Sequence, residues 1–391
     1  MKKFVVSFVL IILMMSMNSL VFAEENKSEG ENTKLAEDAK SAILIERDTG
    51  EILFEKNSNE ELPPASMTKV MTLLLIMEAL DKGVIEKDET IRVSENAAGM
   101  GGSQIFLEAG EEMTVNDLLK GVAVASGNDA SVALAERIAG SEEAFVQKMN
   151  EKVKKLGLEN TKFQNVSGLP AEDHYSTAYD MAIMAKELLK YESITEYTSI
   201  YEDYLRKGTE DEFWLVNTNK LVRFYPGVDG LKTGFTSEAK YCLTATAKKN
   251  DMRVVAVVMG IDTPKERNAT VSQMLDYAFN SYDTKKLFDK DQTITTLEIL
   301  KAEQKKVDVV ASESISTIYR KGDSLDDITT SVKIESELSL PIKKGDQVGV
   351  LKVMSGEETL SETPLTVNEN IDKASYFTLV KRSLEKLSKS K

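Results

Sequence analysis

The chain has 391 residues, 42% of them hydrophobic and 29% charged, the balance of an ordinary folded protein with room for two or more domains. Its net charge of −15 argues against nucleic acid as a partner, because phosphates require a basic surface. The single cysteine excludes an intramolecular disulfide, and the single histidine excludes a two-histidine metal motif and leaves any Ser-His-Asp triad only one possible base.

The chain opens with Lys2 and Lys3, the apolar run FVVSFVLIILMM, and Val21 and Ala23 at the minus-three and minus-one positions of a signal-peptidase site. Residues 1–23 therefore read as an export signal cleaved before Glu24, with an uncleaved anchor as the alternative; no cysteine follows, so it is not a lipoprotein signal. An acidic spacer covers 24–37. SAILIERDTGEILFEKN then forms two strands around Asp48-Thr49-Gly50, a hairpin signature. Behind Pro63 and Pro64 a helix is expected from Met67 to about Lys82. Further helices are expected at Val115–Val124 behind Thr114, at Ala130–Ala139, at Glu142–Leu156, and after Thr177, which has capping-box spacing to Asp180.

The pattern then changes to strands in GLKTGFT, YCLTATAKK and MRVVAVVMG, closed by a helix over Lys265–Tyr282. Strands, a helical block, strands and a closing helix imply one α+β unit over 38–283, a sheet covered by helices. Cys242 lies in the second of these strands and reads as a small buried side chain. From 284 to 367 short alternating runs, among them QTITTLEIL, KKVDVVA, TSVKIE and QVGVLKVM, punctuated by Gly-Asp turns, read as a small all-β domain. In the last segment, 368–391, Tyr376, Phe377, Leu379, Val380, Leu384 and Leu387 share one helical face, with Lys381, Arg382, Lys386 and Lys389 on or beside the other. Such a helix suits a membrane surface; the alternative is a terminal helix docked on its own protein.

Three short stretches carry chemistry. PPASMTKVMT places Ser66 and Lys69 three apart, so that a hydroxyl and an amine can meet at the front of a helix. A serine is a poor nucleophile until its proton is taken, and a lysine can take it only when burial or a neighbouring cation keeps the amine neutral. Taken singly, the pair is an ordinary helix opening. In VAVASGNDA, Ser126 can relay protons and the Asn128 amide can hold both a lysine and a substrate carbonyl; alternatively Gly127 and Asn128 only make a turn, with Asn128 or Asp129 capping the next helix. In VDGLKTGFT, Lys232 offers a second positive charge, Thr233 a hydroxyl, and Gly234 a place where a substrate backbone can lie close to the strand; the plain alternative is an exposed edge lysine before a turn glycine. His174 sits beside Ser176-Thr177, where it reads as structural.

In this order the three stretches match the Ser-X-X-Lys, Ser-X-Asn and Lys-Thr-Gly set of penicillin-binding proteins and class A β-lactamases. The chain resembles the low-molecular-mass penicillin-binding proteins that act as serine D-alanyl-D-alanine carboxypeptidases. The likeness extends through SGNDA, GLP, HYSTAYDMA, DGLKTGFT, the β-rich C-terminal part and the terminal helix. It implies a β-lactamase/transpeptidase-like α+β domain, a peptidoglycan pentapeptide substrate, β-lactams as inhibitors, and no metal or cofactor. It further implies Ser66 as nucleophile, Lys69 as general base, Ser126 as proton relay and Asn128 as holder of the substrate amide. Lys232 and Thr233 would lie at the terminal carboxylate with Arg267 as a further candidate, and the backbone N–H groups of Ser66 and Phe235 would form the oxyanion hole. Relatives carry Thr or His where this chain has Phe235, a departure of little weight because only the backbone is used. Two rivals stand beside this reading. A class A β-lactamase would need a Glu-X-X-Leu-Asn stretch to activate water for deacylation, which the chain lacks. A penicillin sensor or wall-binding module would keep the pocket without turnover.

Overall fold

The computed structural model describes residues 34–336 and 338–389. The expected export signal and its cleavage site lie outside the described residues. The first hairpin pairs β1 (Ser41–Glu46) with β2 (Ile52–Lys56). The helical block follows, with α1 (Lys69–Asp81), α2 (Val115–Ala125), α3 (Asn128–Ala139), α4 (Glu142–Lys155) and α5 (Ala178–Leu188). Local chemistry sets several of their starts: the side chains of Thr114, Ser141 and Thr177 accept from the backbone N–H three residues on, satisfying orphan donors of the first turn. At Thr177 only half of a capping box forms, because the Asp180 carboxylate turns to Thr161 Oγ1 and the Asn160 N–H.

Strands β3 (Val228–Thr236), β4 (Lys240–Lys249) and β5 (Met252–Ile261) complete an antiparallel sheet of order β2-β1-β5-β4-β3. The central β5 reads as an unbroken apolar run because both its faces are covered. Val255, Val257 and Met259 face the helical block, while Val254, Ala256 and Val258 face the cluster around α6 (Pro264–Ser281). Cys242 is fully buried in the first of these cores. β3 is an edge strand, and the turn bearing Ser66 packs against its face.

The C-terminal all-β part holds a two-stranded pair, β6 (Tyr282–Phe288) with β9 (Ile315–Arg320), and a five-stranded antiparallel sheet. The latter contains β7 (Thr293–Glu298), β8 (Lys306–Ala311), β10 (Ile328–Ile334), β11 (Gln347–Ser355) and β12 (Glu358–Val367) in the order β7-β8-β12-β11-β10. β6 begins where the preceding helix stops, so Tyr282 is a strand residue rather than a helical one. The terminal helix α7 runs from Tyr376 to Lys389 and begins later than 368, because Ile371 pairs with Ile342 inside the β-domain core.

Candidate active site

The prolines deliver the chain into a 3-10 turn, Ala65–Thr68, and the α-helix proper starts only at Lys69. Residues three apart eclipse on a 3-10 turn, so Ser66 and Lys69 meet although the serine is not in the α-helix: Lys69 Nζ lies 3.3 Å from Ser66 Oγ. Ala65 sits at φ +48°, a left-handed conformation costing about 1–2 kcal/mol for a residue with a Cβ. His174 braces the turn from below. Its Nδ1 accepts from the Gln164 N–H at 3.1 Å, which leaves the proton on Nε2 to be donated to Thr68 Oγ1 at 2.8 Å. Burial holds its pKa down to about 4, so the ring stays neutral in this structural role.

Lys69 is completely buried. Its Nζ donates to Asn128 Oδ1 and to the Ser167 carbonyl, each at 2.7 Å. A neutral amine has two N–H donors and one lone pair; with both donors engaged, the lone pair is left for Ser66 Oγ. Electrostatics push the same way. Burial lowers the pKa of Lys69 well below the usual lysine value, the charge of Lys232 lowers it further, and Asp129 opposes them.

Ser126 ends α2 in the left-handed conformation at φ 65°, and its buried Oγ has no hydrogen-bond partner among the described residues. Asn128 opens α3 behind Gly127 and does not cap it with its side chain. Instead its amide spans two elements, with Oδ1 holding Lys69 and Nδ2 donating to the Gly101 carbonyl at 2.7 Å. Asp129 is not an N-cap either. Its buried carboxylate accepts from the N–H groups of Ile105, Leu107 and Ala130, tying the loop before α2 to the start of α3.

Lys232 is buried rather than an exposed edge lysine. Burial, then the charge of Arg267, bring its pKa down to about 7. Arg267, buried in the first turns of α6, thus lies close enough to act on Lys232, while its guanidinium donates to Asn268 Oδ1. Thr233 Oγ1 donates to Thr218 Oγ1 at 2.8 Å. Gly234 has a packing reason that the sequence did not show. A Cβ there would stand 2.7 Å from the Pro64 carbonyl and 3.3 Å from Ala65 Cβ, so the glycine admits the turn that carries Ser66 against the strand. The Phe235 side chain is 52% exposed and lies against Tyr241, 4.4 Å between ring centroids.

Two participants were not picked out from sequence, Ser167 and Gly168. Ser167 contributes only its carbonyl, and Gly168 (φ +84°) abuts the backbone of Ala65 and Ser66; the GLP stretch, which begins at Gly168, marked only the second of them. Beside the turn opens a cavity of about 620 Å³ lined by Pro64, Ala65, Gly168, Leu169, Tyr175 and Thr236, among others. Among the described residues no group of three or more His, Cys, Asp or Glu side chains is placed to hold a metal ion.

This architecture, with its buried lysine facing a serine at the end of an edge strand, is that of the D-alanyl-D-alanine carboxypeptidases. Residues 26–263 match the family model of that description, and residues 282–373 match that of the penicillin-binding protein 5 C-terminal domain. The chain belongs to the D-alanyl-D-alanine carboxypeptidase family. It is 55% identical to D-alanyl-D-alanine carboxypeptidase DacF of Bacillus subtilis, across 100% of both chains. Among solved structures it resembles penicillin-binding protein 5 of Haemophilus influenzae, with a TM-score of 0.67 and 30% identity over 86% of this chain and 98% of that one. It also resembles the ampicillin-bound form of penicillin-binding protein D2 of Listeria monocytogenes, with a TM-score of 0.57 and 30% identity over 63% and 99%.

Proposed function

We propose that this enzyme removes the terminal D-alanine from peptidoglycan stem pentapeptides outside the cytoplasm, through an acyl-enzyme on Ser66. The observation that carries this reading is the Lys69 amine, fully buried, its pKa pushed down by burial and by Lys232, and 3.3 Å from the Ser66 hydroxyl. Lys69 takes the Ser66 proton as Oγ attacks the carbonyl of the penultimate D-alanine. The N–H groups of Ser66 and Phe235 receive the oxyanion, worth on the order of 3–4 kcal/mol per donor. Ser126, whose hydroxyl is buried and uncommitted, passes a proton to the departing D-alanine nitrogen. Asn128 keeps one amide N–H for the substrate carbonyl, and Lys232, Thr233 and Arg267 gather positive charge and a hydroxyl for the terminal carboxylate. Water then cleaves the ester. The cavity beside Ala65 and Gly168 has room for the stem residues preceding the two D-alanines. A penicillin, which mimics that dipeptide end, acylates the same serine; the likeness to an ampicillin-bound relative supports this.

The deciding experiment is labelling with a fluorescent penicillin, together with release of D-alanine from a pentapeptide. Native protein should be labelled and release D-alanine, and Ser66→Ala should do neither. Labelling without release would make the protein a sensor, and rapid penicillin turnover would make it a β-lactamase.

We further propose export through residues 1–23, a catalytic domain over 38–283, a β-domain over 284–367, and membrane association through α7. Among the described residues no helix is long and apolar enough to cross a membrane, so the helix would lie in the interface. Arg382 turns toward the protein and donates to the carbonyls of Leu300, Ala302 and Glu303, while Lys381 is exposed. Tyr376 and Phe377 are 77% and 83% exposed, apolar surface left for a bilayer. A truncation meant to test this must spare Ile371, which is part of the β-domain core. Deleting 376–391 should leave activity on soluble peptides unchanged and release the protein from vesicles containing anionic lipid; continued sedimentation with the vesicles would refute the anchor.

A further inference from the structure

The loop from Asn165 to Leu169 touches the two groups on which acylation depends. The Ser167 carbonyl takes one Lys69 donor at 2.7 Å. Gly168 packs so tightly that a Cβ there would lie 1.8 Å from the Ala65 carbonyl and 2.9 Å from the Ser66 nitrogen. A loop of five residues does not hold such a shape unaided, since its backbone must be fixed by partners. One side chain supplies most of them. Asn165 Oδ1 accepts from the Ser167 N–H at 3.1 Å, from the Gly168 N–H at 2.7 Å and from Ser167 Oγ at 3.3 Å. Its Nδ2 donates to the Leu169 carbonyl at 2.9 Å. From α1, Thr72 Oγ1 adds a bond to the Val166 carbonyl at 2.7 Å.

We infer that Asn165 is a positioning residue for acylation: by clamping three successive residues it aims the Ser167 carbonyl at Lys69 and presses Gly168 against the turn that presents Ser66. This rests on the reading of Ser66 as nucleophile and Lys69 as base. Asn165 does not touch Lys69. The charged groups acting on that amine are Lys232 from β3 and Asp129 from α3, with Arg267 from α6 acting on Lys232, and the loop itself is met from α4 by the Glu142 carboxylate, which accepts from the Val166 N–H and whose pKa burial raises; none of them is altered by a change at 165. Asn165 therefore works through backbone geometry alone, which gives it a distinctive signature. Losing the aligned carbonyl removes an acceptor that favours the protonated amine, so the acidic limb of the acylation profile moves to lower pH. The plateau falls because the turn carrying Ser66 is no longer held in place.

The test is the second-order rate of labelling by fluorescent penicillin, measured from pH 5 to 10 for the parent, Asn165→Ala and Asn165→Asp, with Ser66→Ala as the unlabelled control and thermal unfolding alongside. For Asn165→Ala the plateau should fall about 10- to 100-fold and the acidic limb should shift to lower pH. Asn165→Asp keeps the accepting oxygen for Ser167 and Gly168 but loses the donor to the Leu169 carbonyl, so only part of the plateau should return, while its negative charge behind the Ser167 carbonyl should move the limb to higher pH. An Asn165→Ala protein that melts earlier yet acylates at the parental rate with an unmoved limb would reduce Asn165 to a stability residue and overturn the inference. Should that variant fail to fold, Asn165→Gln, which displaces the accepting oxygen without adding charge, decides instead: a lowered plateau supports the inference, and a parental plateau with an unmoved limb overturns it. A parent that is not labelled, or a labelled Ser66→Ala control, would instead overturn the underlying reading of the nucleophile.

Discussion

Lys69→Met is expected to lower acylation of Ser66 by about 10²–10⁴-fold in a chain that still folds. Methionine has nearly the length of lysine and none of its basicity, so the fully buried site is refilled without a proton acceptor. Two carbonyl-type oxygens, Asn128 Oδ1 and the Ser167 carbonyl, lose their donors, at about 1–3 kcal/mol each. Against this, the parent gives up stability by holding the Lys69 nitrogen away from water. The control is Lys69→Arg, which keeps a positive charge but cannot give up its proton. If the lysine serves as a base, both variants are inactive. If it serves only as a cation, arginine retains activity and methionine does not. Rates of fluorescent-penicillin labelling distinguish the two.

The same substitution has a stability signature whose sign follows from linkage. The pKa of Lys69 in the fold is well below the ordinary lysine value of 10.5, so between those two values the unfolded chain binds more protons than the folded one. Parent stability therefore rises with pH across that window. The Lys69→Met protein lacks this dependence. Its unfolding midpoint relative to the parent should be most favourable near neutral pH and lose ground toward pH 10. A difference that stays constant over that range would mean that the lysine is charged in the fold.

What could be read from the sequence was chemistry concentrated in side chains at short spacing. Ser66 and Lys69 are three residues apart, and that separation brings them together in a 3-10 turn as it would in an α-helix. The Thr114 and Thr177 caps are local too, since each bonds only three residues ahead. Groups that act through their backbone leave no such mark. Ser167 gives a carbonyl, and any residue but one of wrong shape could do so. Gly234 was noticed for a sound reason, close approach, and the approach that the fold makes there is that of Pro64.

The strands passed over have equally specific causes. In β6, YDTKKLF, two exposed lysines interrupt the alternation and only Thr284 is buried. β12 contains Pro364, which usually speaks against an interior strand. Here its missing N–H is tolerated because the pairing of β12 with β8 covers only Leu365, Thr366 and Val367. Arg267 could be named from the resemblance, but its pressure on Lys232 requires α6 to return across the sheet, a tertiary fact that no local pattern encodes.

Gly168→Ala should be the most damaging change to the site that alters no chemical group. Its backbone is left-handed at φ +84°, where a Cβ costs about 1–2 kcal/mol, and forcing a methyl into a packed site adds about 1–3 kcal/mol more. The new carbon cannot be accommodated by a side chain swinging aside, because its neighbours are the backbone carbonyl and carbon of Ala65 at 1.8 and 2.3 Å. Either the loop leaves the turn, taking the Ser167 carbonyl from Lys69, or the turn moves and carries the Ser66 N–H out of the proposed oxyanion hole. Both routes misplace reacting atoms by an ångström or more, which costs about 10²-fold on top of the lost stability. The expected protein has a lowered melting temperature and, at a temperature where it is folded, penicillin labelling reduced by about two orders of magnitude. Gly157→Ala provides the contrast: it has a similar left-handed φ of +69° with nothing within 4 Å of the added carbon, so it should lose stability without losing activity. If Gly168→Ala behaved like Gly157→Ala, the contact between this loop and the nucleophile's turn would have no part in catalysis.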